Sequence, residues 1–223
     1  MKKIKAQLIL LTLLIATTSF TPRKVKILII GDSISIGYTP FVQKELVNVA
    51  DVIDNPGNGK DTGNGLKKVA SWIGEEEWDI IHFNWGLWDL CYRHPESKTQ
   101  GERDKINGTI TFNQEDYENQ LDAIVKLMRE KSDAELIFMT TTYVPKQEAG
   151  RFTKDAKKYN KIARRVMKAN GVKVNCIYKA SKKVHKKFGK GEGDVHYTPA
   201  GYDALGKHIS NFLRKKADTH LGN

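Results

Sequence analysis

The stretch KILIIGDSISIGY, Lys26 to Tyr38, decides how this chain is read. Ile27, Leu28, Ile29 and Ile30 form an unbroken apolar run that stops at Gly31-Asp32-Ser33. A short apolar run bounded by turn residues is the pattern of a strand buried on both faces. Strands of that kind belong to parallel sheets covered by helices. The run therefore ends a buried strand on a serine hydroxyl. Serine at its ordinary pKa is a weak nucleophile and needs a base beside it. Taken alone, the tripeptide also suits a helix cap, so the rest of the chain must decide.

Four further runs read as strands: DVID (51–54), WDIIHFNWG (78–86), AELIFMTTT (134–142) and VKVNCIY (172–178). Helical patterns alternate with them. FVQKELVNVA follows the first strand and GLKKVASWI the second. In EDYENQLDAIVKLMREK, Tyr117, Leu121, Ile124, Val125 and Met128 share a face, as do Tyr159, Ile162, Ala163, Val166 and Met167 in KDAKKYNKIARRVMKAN. Gly171 ends that fourth helix. SKKVHKKFG makes a shorter one. Thr198 and Pro199 open the last as N-cap and first residue. Alternating strands and helices predict an α/β fold: a flavodoxin-like three-layer α/β/α sandwich on a five-stranded parallel sheet. Ligands of such sheets bind beyond the carboxyl ends of the strands.

Length and composition fit one domain of about 200 residues after a leader. MKKIKAQLILLTLLIATTSF (1–20) has a basic start, an apolar run and small or hydroxylated residues, the layout of a secretory signal peptide. The expected mature unit is 21–223, exported to a bacterial periplasm or beyond, with no membrane attachment after removal of the signal. The net charge of +11 falls to +8 without the signal's three lysines and favours acidic partners. Its lysines and arginines are spread along helices without aromatic platforms, which argues for solvated faces and against a nucleic-acid partner. No zinc-type spacing of Cys and His is present, and no metal or cofactor is expected. Whether Cys91 and Cys176 pair is left open.

The strand ends collect the chemistry. After the second strand comes NPGNGKDTGNGL (55–66), whose glycines let backbone amides approach a ligand. After the third comes FNWGLWDLCY (83–92), with Asn84, Trp85, Trp88 and Asp89. Before the last helix, GEGDVHYTP (191–199) puts Asp194 and His196 on a loop. The long polar segment from Cys91 to Gln114 suits a substrate-covering loop.

These four blocks, in this order on these elements, resemble the SGNH hydrolases, the GDSL esterase/lipase superfamily. The resemblance spans roughly residues 24 to 215. It implies the same sandwich fold, Ser33 as nucleophile and His196 as general base. It also implies an oxyanion hole with the Ser33 amide and a glycine amide from the second block, Gly59 by spacing or Gly57. Two positions depart from the family. Trp88 stands where the family's third block has asparagine, leaving the indole N–H of Trp88 or the side chain of Asn84 as the third oxyanion donor. Gly193 stands where the acidic residue is usual, three before the histidine. Asp194, two before it, then orients the imidazole, unless a backbone carbonyl does.

The expected function is a serine esterase cleaving acyl esters, most simply acetyl esters on carbohydrate, through an acyl-enzyme on Ser33. Asp32, Trp85, Asp89 and Tyr143 are expected to touch a small-molecule or polysaccharide substrate. The alternatives are a lipase or aryl esterase, and a non-catalytic glycan-binding protein that keeps the fold. The oligomeric state is not legible.

Overall fold

The computed structural model describes residues 23–222. The segment 1–20, expected to be a signal peptide, lies outside the described residues. Among the described residues, seven strands and six helices run in the order β1 (Val25–Ile30), α1 (Ser33–Leu46), β2 (Ala50–Asp54), α2 (Thr62–Ile73), β3 (Ile80–Phe83), β4 (Tyr92–Arg93), β5 (Thr109–Ile110), α3 (Gln114–Lys131), β6 (Glu135–Met139), α4 (Thr153–Ala169), β7 (Lys173–Asn175), α5 (Tyr178–Phe188) and α6 (Pro199–Leu221).

Five strands make one sheet in the order β2-β1-β3-β6-β7, with every pairing parallel. Chain order reverses between β1 and β3, so the crevice beyond the end of β1 is the ligand position that this topology favours. Helices α2, α3 and α4 cover one face, and α1, α5 and α6 the other. The fold is thus the α/β/α sandwich. Ile27, Ile29, Ile30, Ile80, Phe83, Ile137 and Phe138 are fully buried between the layers. Burying side chains of this size stabilises by about 1.5–3 kcal/mol each, and the α3 and α4 faces expected to be apolar supply the opposing surface.

Helix α1 differs from its expected form. It starts at Ser33, eight residues early, and carries Pro40 inside. Asp32 caps it, accepting from the Ile34 N–H at 2.9 Å. Ile34, Tyr38, Val42 and Leu46 then bury one stripe at four-residue spacing, which outweighs the bond lost at Pro40. Gly37 and Gly206 let α1 and α6 meet closely: a Cβ on Gly37 would stand 2.2 Å from the Tyr202 ring, and one on Gly206 2.7 Å from Phe41 Cβ.

The third, fourth and fifth strands stop earlier than the apolar runs suggest. Asn84 to Gly86, Thr140 to Thr142 and Cys176 to Ile177 continue as loops past the sheet end. The hairpin β4–β5 was not legible, because two-residue strands have no period to detect. Cys91 is buried and Cys176 exposed, and both thiols are free.

Candidate active site

Ser33 is the first residue of α1, immediately past the end of β1. His196 comes from the loop before α6, 163 positions later, yet its Nε2 lies 2.8 Å from Ser33 Oγ. The Nδ1 atom of His196 lies 2.6 Å from Asp194 Oδ1. That same oxygen accepts the His196 backbone N–H at 2.9 Å. This tight turn explains how an acid only two residues away reaches the ring: an aspartate that accepts the amide two positions on holds its carboxylate beside that residue's side chain. Burial raises the Asp194 pKa, but the two bonds from His196 and the charge of Arg103 outweigh it and leave the carboxyl below its ordinary value.

The loop carrying the imidazole is well tied. Lys190 N–H donates to the His196 carbonyl at 3.0 Å, and the His185 ring, through Nε2, donates to the Asp194 carbonyl at 2.7 Å. Gly191 has φ +134°, a backbone that side chains disfavour.

The end of β1 is equally fixed. Gly31 N–H donates to Asn55 Oδ1 at 2.9 Å, and the Gly31 carbonyl accepts from the Gly59 N–H at 2.8 Å. This corrects the role expected of Gly59. Its amide is already spent on β1, and its carbonyl accepts from Trp85 Nε1 and Asn64 Nδ2. The glycine is required because a Cβ there would stand 2.5 Å from the Gly31 carbonyl oxygen. Gly57, at φ +74°, accepts from Asn55 Nδ2 and lies off the cavity wall. Asn58, between the two glycines, faces the cavity instead. Ser33 N–H, at the start of α1, has no protein partner among the described residues.

The third block divides. Trp88 lines the cavity, half-buried, with the Arg93 guanidinium 4.8 Å above its ring. Its indole N–H has no partner among the described residues. Asn84 does not face the cavity: it is buried, and its Nδ2 donates to the Met139 carbonyl at 2.7 Å. Three residues expected to touch substrate sit elsewhere. Trp85 is fully buried against Phe83. Asp89 is fully buried and accepts the Thr62 N–H at 2.9 Å and the Thr62 hydroxyl at 2.5 Å, anchoring the start of α2. Its second oxygen has no partner, and burial pushes its pKa up to about 7. Tyr143 packs against His185 and Tyr178, away from the cavity. Asp32 lines the cavity, but its carboxylate caps α1, and burial raises its pKa.

The cavity at Ser33 measures about 290 Å³. Besides Ser33, Asp194 and His196, its wall includes Leu87, Trp88, Val195 and three arginines, Arg93, Arg103 and Arg151. The arginines escaped the sequence reading because lone arginines on loops resemble solvated charges. Their one signal was position: Arg93 and Arg103 lie on the long polar excursion, and Arg151 lies between a strand end and a helix.

A family model described as the GDSL-like lipase/acylhydrolase family matches residues 29–204. The chain belongs to that family. Its members are acyl ester hydrolases, and this GDSL chain is a carboxylic ester hydrolase by that membership. Solved structures agree on the fold. A lipase/acylhydrolase from Enterococcus faecalis superposes with a TM-score of 0.68 at 22% identity, covering 86% of this chain and 96% of that one. Axe2, an acetylxylan esterase from Geobacillus stearothermophilus, gives 0.66 at 16% identity, covering 87% and 95%. The acetyl xylan esterase AlAXEase gives 0.66 at 14% identity, covering 85% and 100%. No curated protein matches the chain. Among the described residues of this GDSL protein, no helix is long and apolar enough to cross a membrane.

Proposed function

We propose that this protein hydrolyses short acyl esters, most simply acetyl esters on carbohydrate, through an acyl-enzyme on Ser33. The observation that carries the reading is the continuous relay of Ser33 Oγ, His196 and Asp194 at 2.8 and 2.6 Å, open to a cavity. His196 Nε2 takes the hydroxyl proton as Ser33 Oγ attacks the carbonyl. Asp194 holds the Nδ1–H tautomer and stabilises the imidazolium that forms. The Ser33 N–H at the start of α1 and the Trp88 indole N–H are the donors left free for the oxyanion, and Asn58 adds polar atoms beside them. His196 returns the proton to the leaving alcohol, and water repeats the cycle on the acyl group.

A cavity of about 290 Å³ favours a small acyl group over a long chain. The large exposed apolar residues, Ile36, Val47, Ile53 and Ile106, are scattered, which disfavours a lipase lid. The half-buried Trp88 ring offers a face on which a sugar can stack, and the acetyl xylan esterases of the same fold act on such esters. The signal-like segment 1–20 supports export of the mature chain.

The test is hydrolysis of acetylated xylan, acetylated pectin and p-nitrophenyl esters of two to twelve carbons by wild type and Ser33→Ala, with labelling of the serine by an organophosphate. Acetate release that depends on Ser33 and falls with chain length supports the proposal. Activity that survives Ser33→Ala overturns it. One observation favours the alternative of a glycan-binding protein: the Gly59 and Asn84 amides are both committed to protein carbonyls. A protein that binds oligosaccharide but takes up no organophosphate would establish that alternative.

A further inference from the structure

Resting on the esterase reading, we infer that the cavity beside Ser33 recognises a sugar bearing an oxyanion, a carboxylate or a sulfate, next to the acylated hydroxyl. Arg93, Arg103 and Arg151 line the same cavity as Ser33 and His196.

These arginines are built in and do not reach freely into solvent. The Arg151 side chain is only 6% exposed; its Nε donates to the Leu87 carbonyl at 2.6 Å and its Nη1 to Glu148 Oε1 at 2.8 Å. Arg103 donates through Nη1 to the same Glu148 oxygen at 2.8 Å and through Nε to the Gln100 carbonyl at 2.9 Å. Glu148, wholly buried, is thus one carboxylate shared by two guanidiniums. Its other oxygen is taken by the Gly150 N–H at 2.8 Å. One positive charge of the pair stays uncompensated by it. Arg93 is held by the Gly101 carbonyl and stacks on Trp88.

The wall also carries two acids, and neither makes an ion pair with an arginine, although the charge of Arg151 acts to lower the Asp32 pKa and that of Arg103 the Asp194 pKa. Asp32 Oδ1 accepts from Ile34 at the helix cap, and Asp194 Oδ1 is engaged with His196. No carboxylate of the described residues meets Arg93, and the Nη2 groups of all three arginines have no protein partner among the described residues. A buried arginine is costly unless paired, and the buried Arg151 shares its one carboxylate with the partly exposed Arg103 at the cavity wall, which leaves a place for a further anion. Guanidinium is also the side chain whose planar fork fits carboxylate and sulfate-type oxyanions in two-point contact. Trp88 under Arg93 completes a surface for a sugar ring with an acidic substituent.

The experiment separates binding from turnover. Calorimetry on the full chain carrying Ser33→Ala uses three probes: digalacturonate, its neutral methyl ester, and a galactose 6-sulfate disaccharide. At least one acidic probe is expected to bind ten-fold or more tightly than the methyl ester, and the tighter acid names the oxyanion. Adding Arg103→Gln or Arg93→Gln is expected to remove most of that difference. Arg103→Gln leaves Glu148 its bond to Arg151, and circular dichroism verifies the fold. In parallel, wild type is given O-acetylated galacturonide as free acid and as methyl ester, with acetate release measured. Equal binding of acid and ester, or a preference that survives both arginine variants, overturns the inference. Acid-selective binding without ester cleavage on any substrate supports the oxyanion site and instead overturns the esterase reading.

Discussion

The two walls of the cavity are built in different ways. One wall, with Ser33, Asp194 and His196, stands on short connections at the carboxyl ends of the sheet. The other, with Arg93, Gln100, Gly101 and Arg103, stands on the excursion between the end of β3 at Phe83 and the start of α3 at Gln114. The first is held by backbone bonds to β1 and α5, such as Gly59 to Gly31 and Thr198 to Phe188. The second is pinned to residues 149–150 by bonds from Tyr92 N–H at 2.7 Å and Lys105 N–H at 2.8 Å, and beneath by Glu148. The difference teaches a division of labour: the groups proposed to react sit where the sheet places them, and the groups proposed to select sit on a loop outside the sheet.

The sharpest way to break the comparison is to disable the first wall alone. Ser33→Ala is expected to lower kcat on p-nitrophenyl acetate by about 10⁶-fold, with the thermal unfolding midpoint almost unchanged, because Asp32 rather than Ser33 supplies the cap. Asp194→Asn is expected to cost about 10⁴-fold, since the amide can still accept from the His196 backbone but no longer stabilises imidazolium. A loss below ten-fold would assign the orienting role to another group.

Smaller effects sharpen the boundary between the walls. Trp88→Phe keeps an aromatic ring, though a smaller one, and deletes the indole N–H; a fall in kcat of about 10²-fold would mark that N–H as an oxyanion donor. Asn84→Ala should instead act on stability, by about 1–3 kcal/mol, because it strands the buried Met139 carbonyl. Loss of kcat without loss of stability in that variant would contradict its placement here.

A last effect falls outside the site, on the pH dependence of folding. Asp89, at about 7 in the folded chain against 3.8 unperturbed, holds a proton between those values that the unfolded chain has released. Its contribution to stability is present below pH 3.8 and is lost as pH rises toward 7. Asp54, raised by burial to about 6, has the same sign. His82, fully buried and lowered by that burial to about 3 from 6.5, has the opposite one: its contribution is present above 6.5 and lost as pH falls toward 3. The terms oppose each other between pH 4 and 6.5. Denaturant melts of Asp89→Asn should therefore show stability rising with pH more steeply than wild type in that window. Parallel curves would mean that Asp89 is ionised throughout.

Most of the architecture was legible because it rests on local pattern. Ile27 to Ile30 could only be a covered strand, and the faces of α3 and α4 showed at helical spacing. Ser33, His196 and Asp194 stood out because each follows a strand or precedes a capped helix at one end of the sheet. Asp89, Trp85 and Asn84 stand beside Trp88 in sequence and carry similar polar or aromatic signals, yet they point into the core. A loop that turns at Gly86, φ +146°, sends neighbours to opposite sides in a way that spacing does not encode.

The sequence by itself determined the alternating elements, the parallel sheet and the strand ends where chemistry gathers, since apolar periodicity and turn chemistry act over a few residues. Only the tertiary structure decided that Gly59 spends its amide on Gly31, that Asn58 faces the cavity, and that three arginines from two separate loops line one cavity with Ser33. Those outcomes depend on groups that meet across long stretches of chain, up to 163 positions between Ser33 and His196, and such meetings follow from how the layers close, not from any local preference.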